Sequence, residues 1–206
     1  VLDVGVRGAL NTLEAAQDCG VETYILASSS EVYQQPETIP TPESERAIIP
    51  DVRNPRFSYA GGKLISELLS INFLRNTPIR DMIFRPHNIF GPNMGFEHVI
   101  PEVMQKLYDA TNGWTNNEAE IEIQGSGEET RAFCFVEDAV DQLMVMYDRG
   151  EKGEIYHIGI DNEITIRELI ERMAEVVGVH VTIKPGTLRS GGTNRRCPDI
   201  SKIKNL

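Results

Sequence analysis

The chain has 206 residues, of which 40% are hydrophobic and 25% charged, with a formal net charge of −11. That balance fits a globular chain able to bury a sizeable core in one large domain or two small ones. It argues against a nucleic-acid partner, because phosphate neutralisation needs clustered Lys and Arg, and no apolar run approaches the roughly 18–20 residues that cross a bilayer, so no membrane partner is expected.

In chain order, Leu2, Val6, Ala9, Leu10, Leu13 and Ala16 recur at helical spacing and Gly20 follows as a stop, which predicts a helix with one buried face. Thr23 to Ala27 (TYILA) predicts a strand buried on both faces of a parallel sheet. Residues 34 to 56 are rich in proline and charge and lack periodicity, so a loop is expected. Leu64, Leu68 and Ile71, flanked by Ile65 and Leu69, mark a second helix from about Ser58 to Leu74, and Asp81 to Arg85 (DMIFR) predicts a second strand.

Residues 91 to 130 read as irregular, with a helix near Pro101 to Ala110 and a solvated loop from Thr111 to Glu120. Glu137 to Arg149 is predicted helical, with Val140, Leu143, Met144 and Tyr147 on one face and two acids at its positive end. Ile155 to Ile158 predicts a strand. Thr165 and Glu168 form a capping box that opens a last helix carrying Ile166, Leu169, Ile170, Met173 and Val177, which Gly178 ends, and Val181 to Lys184 reads as an edge strand. The alternation of helix and strand predicts an α/β fold with a largely parallel sheet.

Three cysteines, Cys19, Cys134 and Cys197, are odd in number and far apart. They point to a reducing, cytoplasmic compartment and away from a disulfide framework. Val1 opens the chain without Met or a basic, apolar leader, so no targeting signal is expected. The four histidines, His87, His98, His157 and His180, lack metal-ligand spacing, so no metal site is expected.

Three features could carry chemistry. Ser28-Ser29-Ser30-Glu31-Val32-Tyr33 leaves the first strand at its carboxyl end, where open α/β sheets bind ligands; alone it would read as a serine-rich turn. In Tyr59-Ala60-Gly61-Gly62-Lys63 the tyrosine and lysine share one helical face. Bringing a tyrosine from a pKa near 10 to near 7 takes about 4 kcal/mol. A lysine ammonium about 4 Å away supplies about that much at an effective dielectric near 20. The pair is therefore workable as a base, although an exposed lysine on a helix would read the same. Arg131, in TRAFCFVED, and Arg195-Arg196 carry the fork that suits a diphosphate, unless they are surface charge.

Taken in order, ASSSEVY, YAGGK, RPHNIFGPN, VIP, GSGEETRAFCFVEDAV, IYHIG and RRCPDIS resemble the extended short-chain dehydrogenase/reductase family, and within it the NAD-dependent epimerase/dehydratase branch acting on nucleotide-diphosphate sugars. The resemblance implies an incomplete Rossmann-type parallel sheet with a small C-terminal α/β substrate-binding region. Residues 1–90 would be the remaining part of the NAD-binding domain with YxxxK, and 91–206 the substrate region, with 132–160 returning to the sheet. It implies Tyr59 as the base that takes the proton from the sugar hydroxyl while carbon 4 gives hydride to NAD. Lys63 would hold the nicotinamide ribose and lower the tyrosine pKa, Ser29 would hydrogen-bond the same hydroxyl, and Ser30 and Glu31 would do further acid/base work on the 4-keto sugar. His87 would lie where the backbone meets the nicotinamide. Asn88 would contact the diphosphate, and His98, Val99 and Ile123 the nucleotide base. Arg131 and Arg196 would clamp phosphates, with Asp199 on the nucleoside ribose.

The shared step is transient oxidation at carbon 4. Ser30-Glu31 and the TRAF run are similar to UDP-glucuronate decarboxylases, and Ser-Glu also to GDP-mannose dehydratases, so decarboxylase and 4,6-dehydratase outcomes stand beside epimerisation. The family's GxxGxxG is absent from this sequence, which leaves two expectations: a piece of a longer active enzyme, or a sugar-nucleotide-binding relative without catalysis. Two positions depart from the family's pattern, Gly5 where Asn is usual and Gln34 where Gly commonly follows Tyr33. A homodimer through residues 3–19 and 58–74 is expected of the intact protein, and self-association of this chain.

Overall fold

A computed structural model describes residues 1–187 and 193–206. Helix α1 (Ala9–Cys19) continues a π-helical stretch, Asp3–Gly8, and stops at Gly20, whose φ of 63° is the left-handed conformation that glycine adopts without strain. Strand β1 (Thr23–Ala27), helix α2 (Ser58–Leu74) and strand β2 (Arg80–Pro86) follow. Next come β3 (Ile89–Phe90), α3 (Val99–Ala110), β4 (Glu118–Glu122), β5 (Thr130–Arg131), β6 (Cys134–Phe135), α4 (Val136–Arg149) and β7 (Glu154–Ile158). The chain ends through β8 (Ile164–Thr165), α5 (Ile166–Val176), β9 (His180–Lys184), β10 (Arg195–Arg196) and α6 (Ser201–Lys204).

The fold is α/β, as the alternating pattern predicts. β1, β2 and β7 form a parallel sheet in that order, with Ala27 opposite Phe84 and Arg85 opposite His157. All three strands therefore end at the same edge. The period of two along the strands sorts the faces. Ile25, Met82, Phe84, Tyr156 and Ile158 pack with α4 and α6, while Tyr24 turns to the opposite face with Leu13 of α1 and Leu74 of α2. A second core joins α3 and α5 to the parallel pair β4–β9 through Leu107, Ile121, Ile170 and Met173. Thr165 caps α5 by accepting from the Glu168 amide at 3.0 Å, as the capping box predicts.

Several sequence expectations are corrected. β1 is half-buried and not fully buried, because among the described residues it has a strand partner, β2, on one side only and its other edge is open. The stretch read as loop from Thr111 to Glu120 runs into β4: Ala119 and Ile121 alternate with glutamates, a half-buried strand masked by its acidic face. Helix α2 has the expected bounds but buries Ala60, Gly62, Ser66, Glu67 and Ser70, while Leu68 is 57% exposed. Gly62 has no Cβ where α2 meets Gly5, and Ser66 Oγ donates to the Gly5 carbonyl at 2.6 Å. The small side chains let two backbones approach. On α4, Ala139 and Met146 go inward and Val140, Met144 and Tyr147 remain exposed. Among the described residues no helix is long and apolar enough to cross a membrane.

Candidate active site

The site lies where β1, β2 and β7 end. Beyond Ala27 the chain leaves β1 as Ser28 and Ser29, then turns through a 3-10 helix, Ser30–Tyr33. Ser29 accepts from the Glu31 amide at 3.2 Å, so the hydroxyl that follows the strand caps the turn that presents Glu31. Helix α2 brings Tyr59 and Lys63 to the same edge. Lys63 Nζ donates to the Ala27 carbonyl at 2.7 Å and lies 5.8 Å from the centre of the Tyr59 ring, which is 45% exposed. Partial burial holds Lys63 below the ordinary lysine range.

Beneath this edge runs a buried polar chain. Glu67, one turn beyond Lys63, receives Ser28 Oγ and a two-point grip from Arg85, Nε at 2.9 Å and Nη2 at 2.6 Å. These two side chains are 4% and 5% exposed. Arg85 also donates to the Tyr33 hydroxyl. Tyr33 in turn meets His157 Nε2 at 2.7 Å, while His157 Nδ1 lies 3.0 Å from the Asp199 carbonyl. A carbonyl only accepts, so Nδ1 carries the proton and Nε2 receives the Tyr33 hydroxyl. Burial pushes Tyr33 up to about 12 and holds His157 below its usual range, so both stay neutral. His87 is 1% exposed, stacks edge-on against His157 at 4.6 Å, and has no hydrogen-bond partner at either ring nitrogen among the described residues. Burial first, then the neighbouring His157 and the Arg196 and Arg85 guanidiniums, hold it well below 6.5.

A cavity of about 360 Å³ opens between this edge and the second core, lined by Asn88, Val99, Ile123 and Arg131 among others, with Arg56 and Lys106 at its wall. Four of the expected substrate contacts thus share one cavity. Asn88 sits at a φ of 42°, turning the chain out of β2, and donates to the Ala132 carbonyl at 3.2 Å. Arg131 donates to the carbonyls of Thr130 and Thr193 at 2.7 Å each and has no ion pair among the described residues. Burial first, and then the Arg196 guanidinium, lower its pKa to about 10, a cost that an anion between the two would reverse. Arg196 is the register partner of Arg131 across β10–β5, and its Nη1 holds Glu31 Oε1 at 2.7 Å.

The remaining expected contacts lie outside the cavity wall. His98 precedes α3 and is exposed. Asp199 turns its carboxylate onto Ser201, accepting from the amide at 2.8 Å. Sequence reasoning missed Glu67, Arg85 and His157, and it grouped Tyr33 with the strand-end cluster, whereas Tyr33 is buried beneath it. A glutamate on the inner face of α2 and an arginine inside the apolar DMIFR strand were the available signals, since such charges are buried only when paired. Gln34 holds a φ of 56°, a region that favours glycine, and its side chain compensates by donating to the Glu31 carbonyl at 2.6 Å.

Residues 1–159 match the family described as "NAD dependent epimerase/dehydratase family". The chain is 29% identical to GDP-L-fucose synthase 1 of Arabidopsis thaliana over its whole length and spans 64% of that protein. It is 33% identical to UDP-glucuronic acid decarboxylase 5 of Arabidopsis thaliana, again over its whole length, and spans 58% of that protein. The fold superposes with a TM-score of 0.83 on the structure of RMD from Pseudomonas aeruginosa complexed with NADPH, at 27% identity, covering 99% of this chain and 66% of that one. A dTDP-glucose 4,6-dehydratase, DesIV from Streptomyces venezuelae with NAD and TYD bound, superposes with a TM-score of 0.80 at 26% identity, covering 99% and 59%.

Proposed function

Because the chain belongs to the NAD dependent epimerase/dehydratase family, we propose that it supplies the catalytic edge and substrate cavity of an enzyme that transiently oxidises a nucleotide-diphosphate sugar at carbon 4. The observation that carries the reading is the convergence of Tyr59, Lys63, Ser29 and Glu31 at one sheet edge, next to a cavity floored by Asn88 and Arg131. Residues 1–90 and 132–160 would form the sheet part and the rest the substrate region.

The residues at the strand ends fit the reactive end of NAD. Lys63 offers an ammonium at the end of β1, and the buried ring of His87 has two nitrogens without a hydrogen-bond partner among the described residues. When bound, NAD supplies the hydride acceptor. The chain's own residues do the rest. Tyr59 takes the proton from the sugar hydroxyl, and its half-exposed position leaves room for the sugar. Lys63 stabilises the phenolate form of Tyr59 that accepts this proton. Ser29 orients the same hydroxyl, and Ser30 and Glu31 exchange protons with the 4-keto sugar. Asn88, Arg131 and Arg196 hold the diphosphate and Val99 and Ile123 border the base, while His98 and Asp199, outside the cavity wall, are assigned to the base and the ribose by resemblance alone. Which outcome follows depends on the sugar: loss of carbon dioxide needs a carboxylate on it, loss of water a leaving hydroxyl that Glu31 can protonate, and epimerisation only return of the hydride to the opposite face. Exposed Leu2, Val4, Ile65 and Leu68 on neighbouring helices support pairing of the intact protein through that face.

The test is incubation of the chain and NAD with UDP-, dTDP- and GDP-sugars, read by mass spectrometry. A changed or 4-keto sugar that disappears with Tyr59→Phe supports the reading. Turnover that survives Tyr59→Phe, or a sugar nucleotide left bound but unchanged, overturns the catalytic assignment.

A further inference from the structure

The ion pair between Glu31 and Arg196 joins two residues given separate tasks, one beside the sugar and one on the diphosphate. Arg196 Nη1 lies 2.7 Å from Glu31 Oε1, and the two side chains are 17% and 35% exposed. Arg196 stands in register with Arg131 on the neighbouring strand, so the two guanidiniums are adjacent. They are satisfied unequally: among the described residues Arg131 has only carbonyls, whereas Arg196 has a carboxylate and, more weakly, the Thr193 hydroxyl at 3.4 Å. An anion entering the cavity beside Arg131 would compete with Glu31 for the Arg196 guanidinium. A diphosphate presents oxygens enough to engage both forks at once, which one carboxylate does not.

We propose that Arg196 is exchanged between two acids: it neutralises Glu31 in the free protein, and on binding a nucleotide diphosphate it turns to the phosphates and releases the Glu31 carboxylate beside the sugar. Arrival of the substrate thus frees its own acid/base group, and an empty site keeps that group paired. The inference rests on the reading of Arg131 and Arg196 as diphosphate contacts.

The test measures binding alone, with nucleoside diphosphates that carry no sugar. UDP, GDP and dTDP are titrated by calorimetry into the chain, and the tightest is carried through Glu31→Gln, Arg196→Met and the double variant, each checked for folding by circular dichroism. Loss of the competing carboxylate is expected to tighten binding about fivefold. In the Arg196→Met background that gain is expected to vanish. An unchanged or weakened affinity in Glu31→Gln overturns the exchange. So does an equal gain in both backgrounds, because that is simple relief of repulsion. Arg196→Lys replaces Met where the latter does not fold, and a lysine, lacking the fork, must shrink the gain. Binding without coupling overturns the exchange alone, whereas no binding of any nucleotide overturns the diphosphate site as well.

Discussion

Two polar regions meet at the carboxyl edge of the β1–β2–β7 sheet, and they are built in opposite ways. The lower one, Ser28–Glu67–Arg85–Tyr33–His157, is buried and each member spends its hydrogen bonds on the next. The upper one, Tyr59, Lys63, Glu31 and Arg131, is partly exposed and borders open space. A buried pair must be fully satisfied or it costs several kcal/mol, so the lower chain is suited to hold elements in place. It ties α2 to β2, to the turn after β1 and to β7. A group that is to exchange protons or anions cannot be so committed, and the rim keeps that capacity because the frame beneath it fixes its geometry.

The largest effect should come from the frame. Glu67→Ala leaves the Arg85 guanidinium buried without its carboxylate and is expected to destabilise the chain by about 3–5 kcal/mol in urea denaturation. A loss below about 1 kcal/mol would erase the distinction between frame and rim. Tyr59→Phe should do the reverse. Turnover is expected to fall about a hundredfold or more, while stability stays within about 0.5 kcal/mol.

Acid should act on the frame next. His87 and His157 are both held below 6.5 by burial. The unfolded chain therefore takes up protons near that pH that the native state refuses, so stability is full above it and falls as pH drops below it. The expected slope is up to about 1.4 kcal/mol per pH unit for each histidine. Urea midpoints between about pH 7.5 and about pH 5.5 measure it, and His87→Phe should flatten it. A slope unchanged by that substitution would remove His87 from the account. The smallest effect belongs to the rim: Arg131→Met is expected to weaken nucleoside diphosphate binding about tenfold, or about 1.4 kcal/mol, with the melting temperature nearly unchanged.

The same contrast explains what was legible in the sequence. Helix bounds were readable because caps and periodicity are local: Gly20, Thr165 and Gly178 mark their ends as expected. Which face turns inward was not readable from apolar content. On α2 the contact with Gly5 and Arg85 selects Gly62, Ser66 and Glu67, and Leu68 is left out. β4 hid behind alternating glutamates that face solvent. The rim was legible as an ordered series of motifs, since strand exit and helix start each keep their residues contiguous. The frame was not, because Glu67 to Arg85 and Tyr33 to His157 are partners far apart in the chain with no shared local pattern. The Glu31–Arg196 pair escaped for the same reason.

The most direct test is a crystal structure of the chain with a bound nucleotide-diphosphate sugar. The account predicts the diphosphate between Arg131, Arg196 and Asn88, the base against Val99 and Ile123, and the sugar hydroxyl reaching Tyr59 and Ser29. A nucleotide bound elsewhere, or one in this cavity with its sugar directed away from Tyr59, would contradict it.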